Sequence, residues 1–163
     1  MIVVSDTSPL RGLIAIGKTE LLEQLFKKVI IPEAVENELL RIKVLETEIQ
    51  YLLKQSWIEV KQVSQSEEYT FIRKHLDEGE TEAILLAQQL NADLLLMDES
   101  KGRKFAKEFH LKSLGLIGVL LKAKKNSLIP EVKPLLDELM NKHGFWIQKD
   151  LYLHILESVE ENK

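Results

Sequence analysis

The chain has 163 residues, with 22 Lys and Arg side chains against 26 Asp and Glu, which gives a formal net charge of −4. This length suits one domain that buries a sizeable core without a disulfide or a structural metal. Because the sequence contains no Cys, zinc–thiolate sites, thiol nucleophiles and disulfide frameworks are excluded. The acidic balance argues against coating nucleic acid through bulk charge, but it leaves room for a local basic patch.

Nothing in the sequence predicts membrane insertion. The longest uncharged stretch, residues 83–92, has ten residues and includes three amides, whereas a membrane span needs about 20 mostly apolar residues. The apolar run before Asp6 is too short for a secretory signal, and no basic leader precedes it. We therefore expect a protein without a membrane partner, located in the cytoplasm.

Short apolar runs, several of them β-branched, alternate along the chain with segments of helical periodicity. Ser8 and Pro9 favour a helix start directly after the first run. In chain order, the expected strands are residues 2–4, 29–31, 57–60, 94–97 and 112–114. The expected helices begin at Pro9, cover 19–26, 32–42 and 83–91, include Phe105, and then cover 116–125, 131–142 and 150–159. Strands separated by helices predict a single α/β domain over 1–163, with a parallel sheet of about four or five strands and helices on both faces.

Two carboxylates follow predicted strands. Asp6 comes just after the first strand and Asp98 just after the 94–97 strand. Parallel strands bring their carboxyl ends to one edge, where ligands bind in such sheets, so the pair suggests a cation site. Asp93 is an internal control, because five residues at about 3.3 Å each put it roughly 16 Å away from Asp98. Either acid alone is also compatible with a turn or N-cap role.

Two glutamates are candidates for the same edge. Glu38 lies in the helix after Pro32, and Glu80 lies in the acidic segment that begins at Asp77. Periodicity alone does not show where they point. Glu38 also fits a solvated helix position, and Asp77 with Glu80 also fits a capping box at a helix start.

Taken together, these motifs resemble those of PIN domains. The matching segments are VVSDTSPL at 3–10, IPEAV at 31–35 leading to Glu38, GE and EAI at 79–84, and LLLMDE at 94–99. The nearest likeness is to a prokaryotic PIN-like subfamily with the Asp-Thr-Ser-Pro-Leu start, related to VapC-type toxin ribonucleases, and it covers nearly the whole chain. The resemblance implies a metal-dependent nuclease that uses Mg²⁺ or Mn²⁺.

Carried over position by position, the resemblance implies four acids as both catalytic and metal-binding residues: Asp6, Glu38, Glu80 and Asp98. Ser8 is implied to support the first Asp or a metal-bound water, Glu99 is a weaker supporting residue, and Glu82 is the nearby competitor of Glu80. Oxygen ligands of this kind suit hard divalent cations. Four like charges in one pocket also repel, so we expect Asp98→Asn to stabilise the metal-free protein.

Cations are needed to hold nucleic acid beside an acidic pocket. The candidates are Arg103, Lys101, Lys104 and Arg11. Arg103 is the best of them, because its planar guanidinium can bind phosphate bidentately. Arg11 departs from the apolar residue that the family tends to carry after Pro-Leu. Each of these side chains also fits a solvated face.

The predicted function is an endoribonuclease, with the toxin of a toxin–antitoxin pair as its expected role. The alternative is a non-catalytic PIN-like module that binds nucleic acid or an antitoxin. Trp57, Phe145 and Trp146 fit base stacking, the core or a dimer contact. Apolar surface around Phe145, Trp146, Leu151 and Ile155 predicts a homodimer, and an antitoxin protein is a second expected partner.

Overall fold

The computed structural model describes residues 1–162, in which five strands form one sheet with the order β3-β2-β1-β4-β5. Every neighbouring pair is parallel. The strands are β1 (Val3–Ser5), β2 (Val29–Pro32), β3 (Ile58–Lys61), β4 (Leu94–Leu96) and β5 (Ser113–Leu114).

Ten α-helices and one 3-10 turn occur within residues 1–162. The helices are α1 (Thr7–Ala15), α2 (Glu20–Phe26), α3 (Glu33–Leu40), α4 (Glu46–Leu53), α5 (Glu67–Arg73), α6 (Glu78–Gln89), α7 (Ser100–Glu108), α8 (Leu116–Lys125), α9 (Lys133–Lys142) and α10 (Lys149–Ser158). The 3-10 turn is Lys43–Leu45. No helix in this part of the chain combines the length and apolar character needed to cross a bilayer.

Helices cover both faces of the sheet. Successive residues of a strand point to opposite faces, so neighbouring strand residues pack in different cores. Val3 packs in a core that includes Leu13 of α1 and Leu120 of α8. Its neighbour Val4 packs in a second core that includes Ile84 of α6. Strands buried on both faces read as continuous apolar runs, which is why the sequence marks them clearly. The predicted α/β architecture with a parallel sheet is confirmed.

The register of the two central strands brings their carboxyl ends together. Ser5 of β1 lies opposite Leu96 of β4, and the N–H of Asp6 donates to the carbonyl of Leu96 at 2.9 Å. Asp98 follows two residues later on the same edge. Asp93 lies at the other end of β4, where its carboxylate accepts from the N–H of Ile2 at 2.6 Å.

Some helix boundaries differ from those predicted. α1 begins at Thr7, so Asp6 rather than Ser8 occupies its N-cap position. Pro9 is then the third helical residue, where the missing N–H costs nothing because first-turn N–H groups have no partner within the helix. α4 and α5 were not predicted, since each is short and buries only two side chains. α6 begins at Glu78, five residues before the apolar stripe that predicted it.

Glu161 fixes the end of the chain to two helices. Its carboxylate accepts from the N–H of Val132 at 2.9 Å and that of Lys133 at 2.7 Å, at the start of α9. The Lys124 ammonium of α8 donates to it at 2.6 Å. Burial alone would raise the pKa of Glu161, but these donors outweigh it and hold the pKa below its usual value. α10 is thereby held between this anchor and the α9–α10 loop.

We expect Glu161→Ala to lower the free energy of unfolding by about 2 to 3 kcal/mol, because three donors lose a charged acceptor. The depressed folded pKa makes this stabilisation complete above the unfolded pKa, near 4.3, and lost as pH falls through the folded value. Urea unfolding at neutral and acidic pH measures both effects. Glu157→Ala, on the exposed side of α10, is the control, and an equal loss in both variants would contradict the anchor.

Candidate active site

A pocket of about 470 Å³ opens at the sheet edge where β1 and β4 end. Its acidic lining consists of Asp6, Glu38, Asp77, Glu80, Asp98 and Glu99. The other lining residues are Thr7, Ser8, Arg11, Phe145 and Trp146. Among these, drawn from residues 1–162, Arg11 is the one cation. The pocket therefore carries a strong excess of negative charge.

Asp6 is one of the two most enclosed acids of the pocket; like Glu80, it has 5% of its surface exposed. Burial is the main cause that raises its pKa to about 7. The N–H of Thr7 opposes this rise by donating to the carboxylate, whereas the charges of Asp77, Glu38 and Asp98 add to it. In the metal-free fold, the ionised form of Asp6 is therefore unfavourable near neutral pH.

Glu80 both caps α6 and lines the pocket. Its Oε1 accepts from the N–H of Asp77 at 3.1 Å, and the N–H of Glu80 donates to Asp77 Oδ1 at 2.8 Å, which is the capping box that the spacing allowed. Burial raises the pKa of Glu80 to about 8, helped by a hydrogen bond with Glu99 that favours the neutral form. Glu80 thus closes the start of α6 and lines the pocket at the same time.

Glu38 reaches the pocket from α3 and is held by two neighbouring elements. The Thr7 hydroxyl of α1 donates to its Oε2, and the N–H of Gly79 at the start of α6 donates to its Oε1 at 3.1 Å. A Cβ on Gly79 would lie 2.5 Å from both carboxylate oxygens. The glycine therefore gives Glu38 room beside α6.

Asp98 links the end of β4 to two helices. Its Oδ2 accepts from the Ser8 hydroxyl at 2.8 Å, and its Oδ1 accepts from the N–H of Leu116, the first residue of α8, at 2.6 Å. The structure thus places the Ser8 hydroxyl on Asp98 rather than on Asp6. Loss of either bond would cost stability, so Asp98→Asn mixes that loss with the relief of charge repulsion. The stabilisation expected of Asp98→Asn stays a prediction, and Asp6 is the better position for testing the repulsion.

The predicted competitor Glu82 lies outside the pocket. Its Oε1 accepts from the N–H of Ala34 at 3.2 Å, and the Tyr69 hydroxyl donates to its Oε2 at 3.4 Å. It faces a separate cavity of about 270 Å³, and burial raises its pKa. On α6, Glu82 is two residues from Glu80, and residues at that spacing do not share a helix face.

The basic side chains predicted to contact nucleic acid lie at different distances from the acid pocket. Arg11 lines the acid pocket. Arg103 lies beside Asp98 at the rim, since a Cβ on Gly115 would be 2.8 Å from Asp98 Oδ1 and 3.7 Å from a guanidinium nitrogen of Arg103. Lys104 lines a surface groove with Arg103.

Lys101 is exposed at the start of α7. Its side chain lines none of the described cavities around the acids.

Two pocket residues were missed as site residues. Asp77 was considered only as the capping partner of Glu80, although its carboxylate also faces the pocket. Thr7 holds Glu38 through its hydroxyl. The available signals were the acidic segment at 77–80 and the hydroxyl residue directly after the first acid.

The chemistry of the donor set fits a hydrated divalent cation. Carboxylate and hydroxyl oxygens suit Mg²⁺ and Mn²⁺, and Mg²⁺ needs only a few carboxylates besides its waters. Within residues 1–162, the salt bridges involve other acids, so no Lys or Arg there forms an ion pair with a pocket carboxylate. In the same residues, no three acidic or histidine side chains are already close enough to form a metal site.

Comparisons with known proteins agree with this geometry. A family model described as a PIN domain (DUF3368) matches residues 2–161. No curated protein sequence matches the chain. Among solved structures, the fold is similar to that of a PilT N-terminus domain protein, SSO1118, from the hyperthermophilic archaeon Sulfolobus solfataricus P2, with a TM-score of 0.55 and 20% identity over 76% of this chain and 93% of that chain. At that identity the structural likeness supports the fold alone, whereas the family model spans almost the whole sequence. The chain therefore belongs to the PIN-domain family.

Proposed function

We propose that this PIN domain hydrolyses RNA phosphodiester bonds at the acid pocket, with Mg²⁺ or Mn²⁺ as the cofactor. The observation that carries the proposal is the pocket lining at the sheet edge, which has six acidic side chains and one basic side chain, Arg11. Burial raises the pKa of Asp6 to about 7 and that of Glu80 to about 8. Buried carboxyls with no basic partner are costly to ionise, and a bound cation would compensate them.

In this proposal the ion is held by carboxylates of Asp6, Glu80 and Asp98, with Glu38 completing the acid set. When bound, such a cation polarises a phosphoryl oxygen and lowers the pKa of a water for attack on phosphorus. The choice of RNA rests on the resemblance to VapC-type ribonucleases. The toxin role, the antitoxin partner and the homodimer remain predictions from the sequence.

The protein's own groups orient the acids and the substrate. Ser8 and the N–H of Leu116 fix both oxygens of Asp98. Thr7 and Gly79 do the same for Glu38. Preorganised carboxylates reduce the reorganisation needed when the ion and phosphate arrive. Arg11 lines the pocket, and in this proposal its guanidinium contacts a phosphate of the RNA.

Cleavage tests the division of roles between the two ends of β4. Asp6→Asn and Asp98→Asn should each lower Mn²⁺-dependent cleavage of a labelled RNA panel by at least about 100-fold, because each removes charge from the proposed site. Asp93→Asn, at the opposite sheet edge, should leave cleavage nearly unchanged. Circular dichroism checks that the variants are folded.

Equal loss of activity in all three variants would show that the sheet-edge assignment is wrong. RNA binding by the wild type without turnover under any divalent cation would favour the non-catalytic module instead.

The raised pKa values predict how metal-free stability depends on pH. Between the unfolded carboxyl pKa values, near 4, and the folded values of about 7 for Asp6 and about 8 for Glu80, the folded state binds more protons. The contribution of these groups to the free energy of unfolding therefore falls as pH rises through this window. Asp6→Asn should flatten the fall and stabilise the metal-free protein on the order of 1 to 2 kcal/mol at its alkaline end.

Thermal melts across this pH window, in chelator and in excess Mn²⁺, measure the effect. The stabilisation given by Mn²⁺ should grow with pH in the wild type and shrink in Asp6→Asn. A wild type whose metal response is independent of pH, together with an Asp6→Asn variant that melts lower in chelator, would contradict the account.

A further inference from the structure

A second cavity, of about 670 Å³, adjoins the acid pocket and is referred to here as the side groove. The two cavities share Asp98, Phe145 and Trp146. Side chains of α8 and α10, among them Ile117 and Leu151, give the side groove an apolar wall. An apolar recess therefore opens directly beside the most acidic part of the surface.

Trp146 stands where the two cavities meet. It lies in the loop between α9 and α10 and is 80% exposed, whereas the next residue, Ile147, is 8% exposed and packs in the core. Burial of Ile147 anchors the loop and leaves the indole of Trp146 outside. An anchored, exposed aromatic side chain is a stacking surface that gives up little conformational freedom when it binds.

We propose that the side groove receives a nucleobase of single-stranded RNA, stacked on Trp146, while a phosphate of the same strand lies at the acid pocket. The proposal rests on the proposed ribonuclease function for the identity of the polymer. It assigns Trp146 to substrate binding, which the acid cluster by itself does not require.

The groove has the chemistry that a base needs. Its volume is within the range of about 300 to 1,000 Å³ that is usual for small-molecule sites. The apolar wall suits the faces of a base, and Arg103 and His154, which also line the groove, offer groups to its edges. Each nucleotide carries a phosphate and a base on one sugar, so two adjoining cavities can hold a phosphate and a base of the same strand.

A second copy of the chain is a poorer occupant. In a two-fold contact the same surface meets itself. Because Asp98 and Trp146 belong to both cavities, such a contact over the side groove would bring two acid pockets together, and their like charges would repel. A nucleobase is therefore the better occupant of the side groove, and the experiment below also detects dimerisation through it.

The test measures binding of a short unstructured RNA by anisotropy and by tryptophan fluorescence, in Ca²⁺ and again in chelator. Trp57, the other tryptophan, is 7% exposed, so changes in the emission of exposed indole report on Trp146. RNA should quench this emission, and inorganic polyphosphate, which has charge but no bases, should not.

Trp146→Ala should weaken RNA binding by about 5- to 150-fold, the range expected for loss of one stacked base. Trp146→Phe should restore affinity to within a few-fold of the wild type, because it keeps an aromatic face. Tyr51→Ala is the matched control, since Tyr51 is 67% exposed on α4 and lines neither cavity. It should bind RNA as the wild type does.

Wild-type affinity in Trp146→Ala, equal quenching by polyphosphate, or no RNA binding in either condition would overturn the inference. So would a change of oligomeric mass in Trp146→Ala with RNA affinity unchanged, which would assign the groove to a second copy. Trp146-dependent binding without any cleavage would leave the inference standing and overturn the proposed activity. Cleavage with the same kcat/KM in the wild type and Trp146→Ala would support the proposed activity and overturn the inference about Trp146.

Discussion

Asp6 and Asp98 share one pocket because β1 and β4 pair in parallel, with the N–H of Asp6 donating to the carbonyl of Leu96. This hydrogen bond extends the pairing of β1 with β4 by one residue, and α1 begins at the next residue, Thr7. The first two residues of α1 then hold two further acids, since Thr7 donates to Glu38 and Ser8 donates to Asp98. A slip of one residue in the pairing would move Asp6 to the other side of its strand and separate the two carboxylates.

The same elements that fold the domain also concentrate its charge. Glu38 is held by Thr7 and Gly79, and Glu80 closes the start of α6. These contacts satisfy hydrogen-bonding groups of the fold, yet the pocket that they help to enclose makes the ionised forms of Asp6 and Glu80 costly. Such a conflict between stability and placement is typical of functional sites, where a ligand supplies the compensation that the fold lacks.

Sequence patterns predicted the sheet, most helices and the placement of Asp6 and Asp98 at one sheet edge, because buried parallel strands and the acids after them leave local signals. Glu38 and Glu80 lie inside helices, and only the resemblance to PIN domains pointed to them. Contacts between distant segments leave no such signal. The pairing of Ser8 with Asp98, the turn of Glu82 toward Ala34 and the side groove each join residues far apart in the chain. The short helices α4 and α5 escaped prediction because tertiary packing, rather than a long apolar stripe, stabilises them.

The central claim is that the acids at the carboxyl ends of β1 and β4 bind a divalent cation. Anomalous diffraction from a crystal of the wild-type protein grown with Mn²⁺ tests it directly, since the ion is located independently of any assay. The account predicts an anomalous peak within ligand distance, about 2.0 to 2.6 Å, of carboxylate oxygens from Asp6, Glu80 or Asp98. A peak only elsewhere on the surface, or none at this edge with Mn²⁺ in excess, would contradict it.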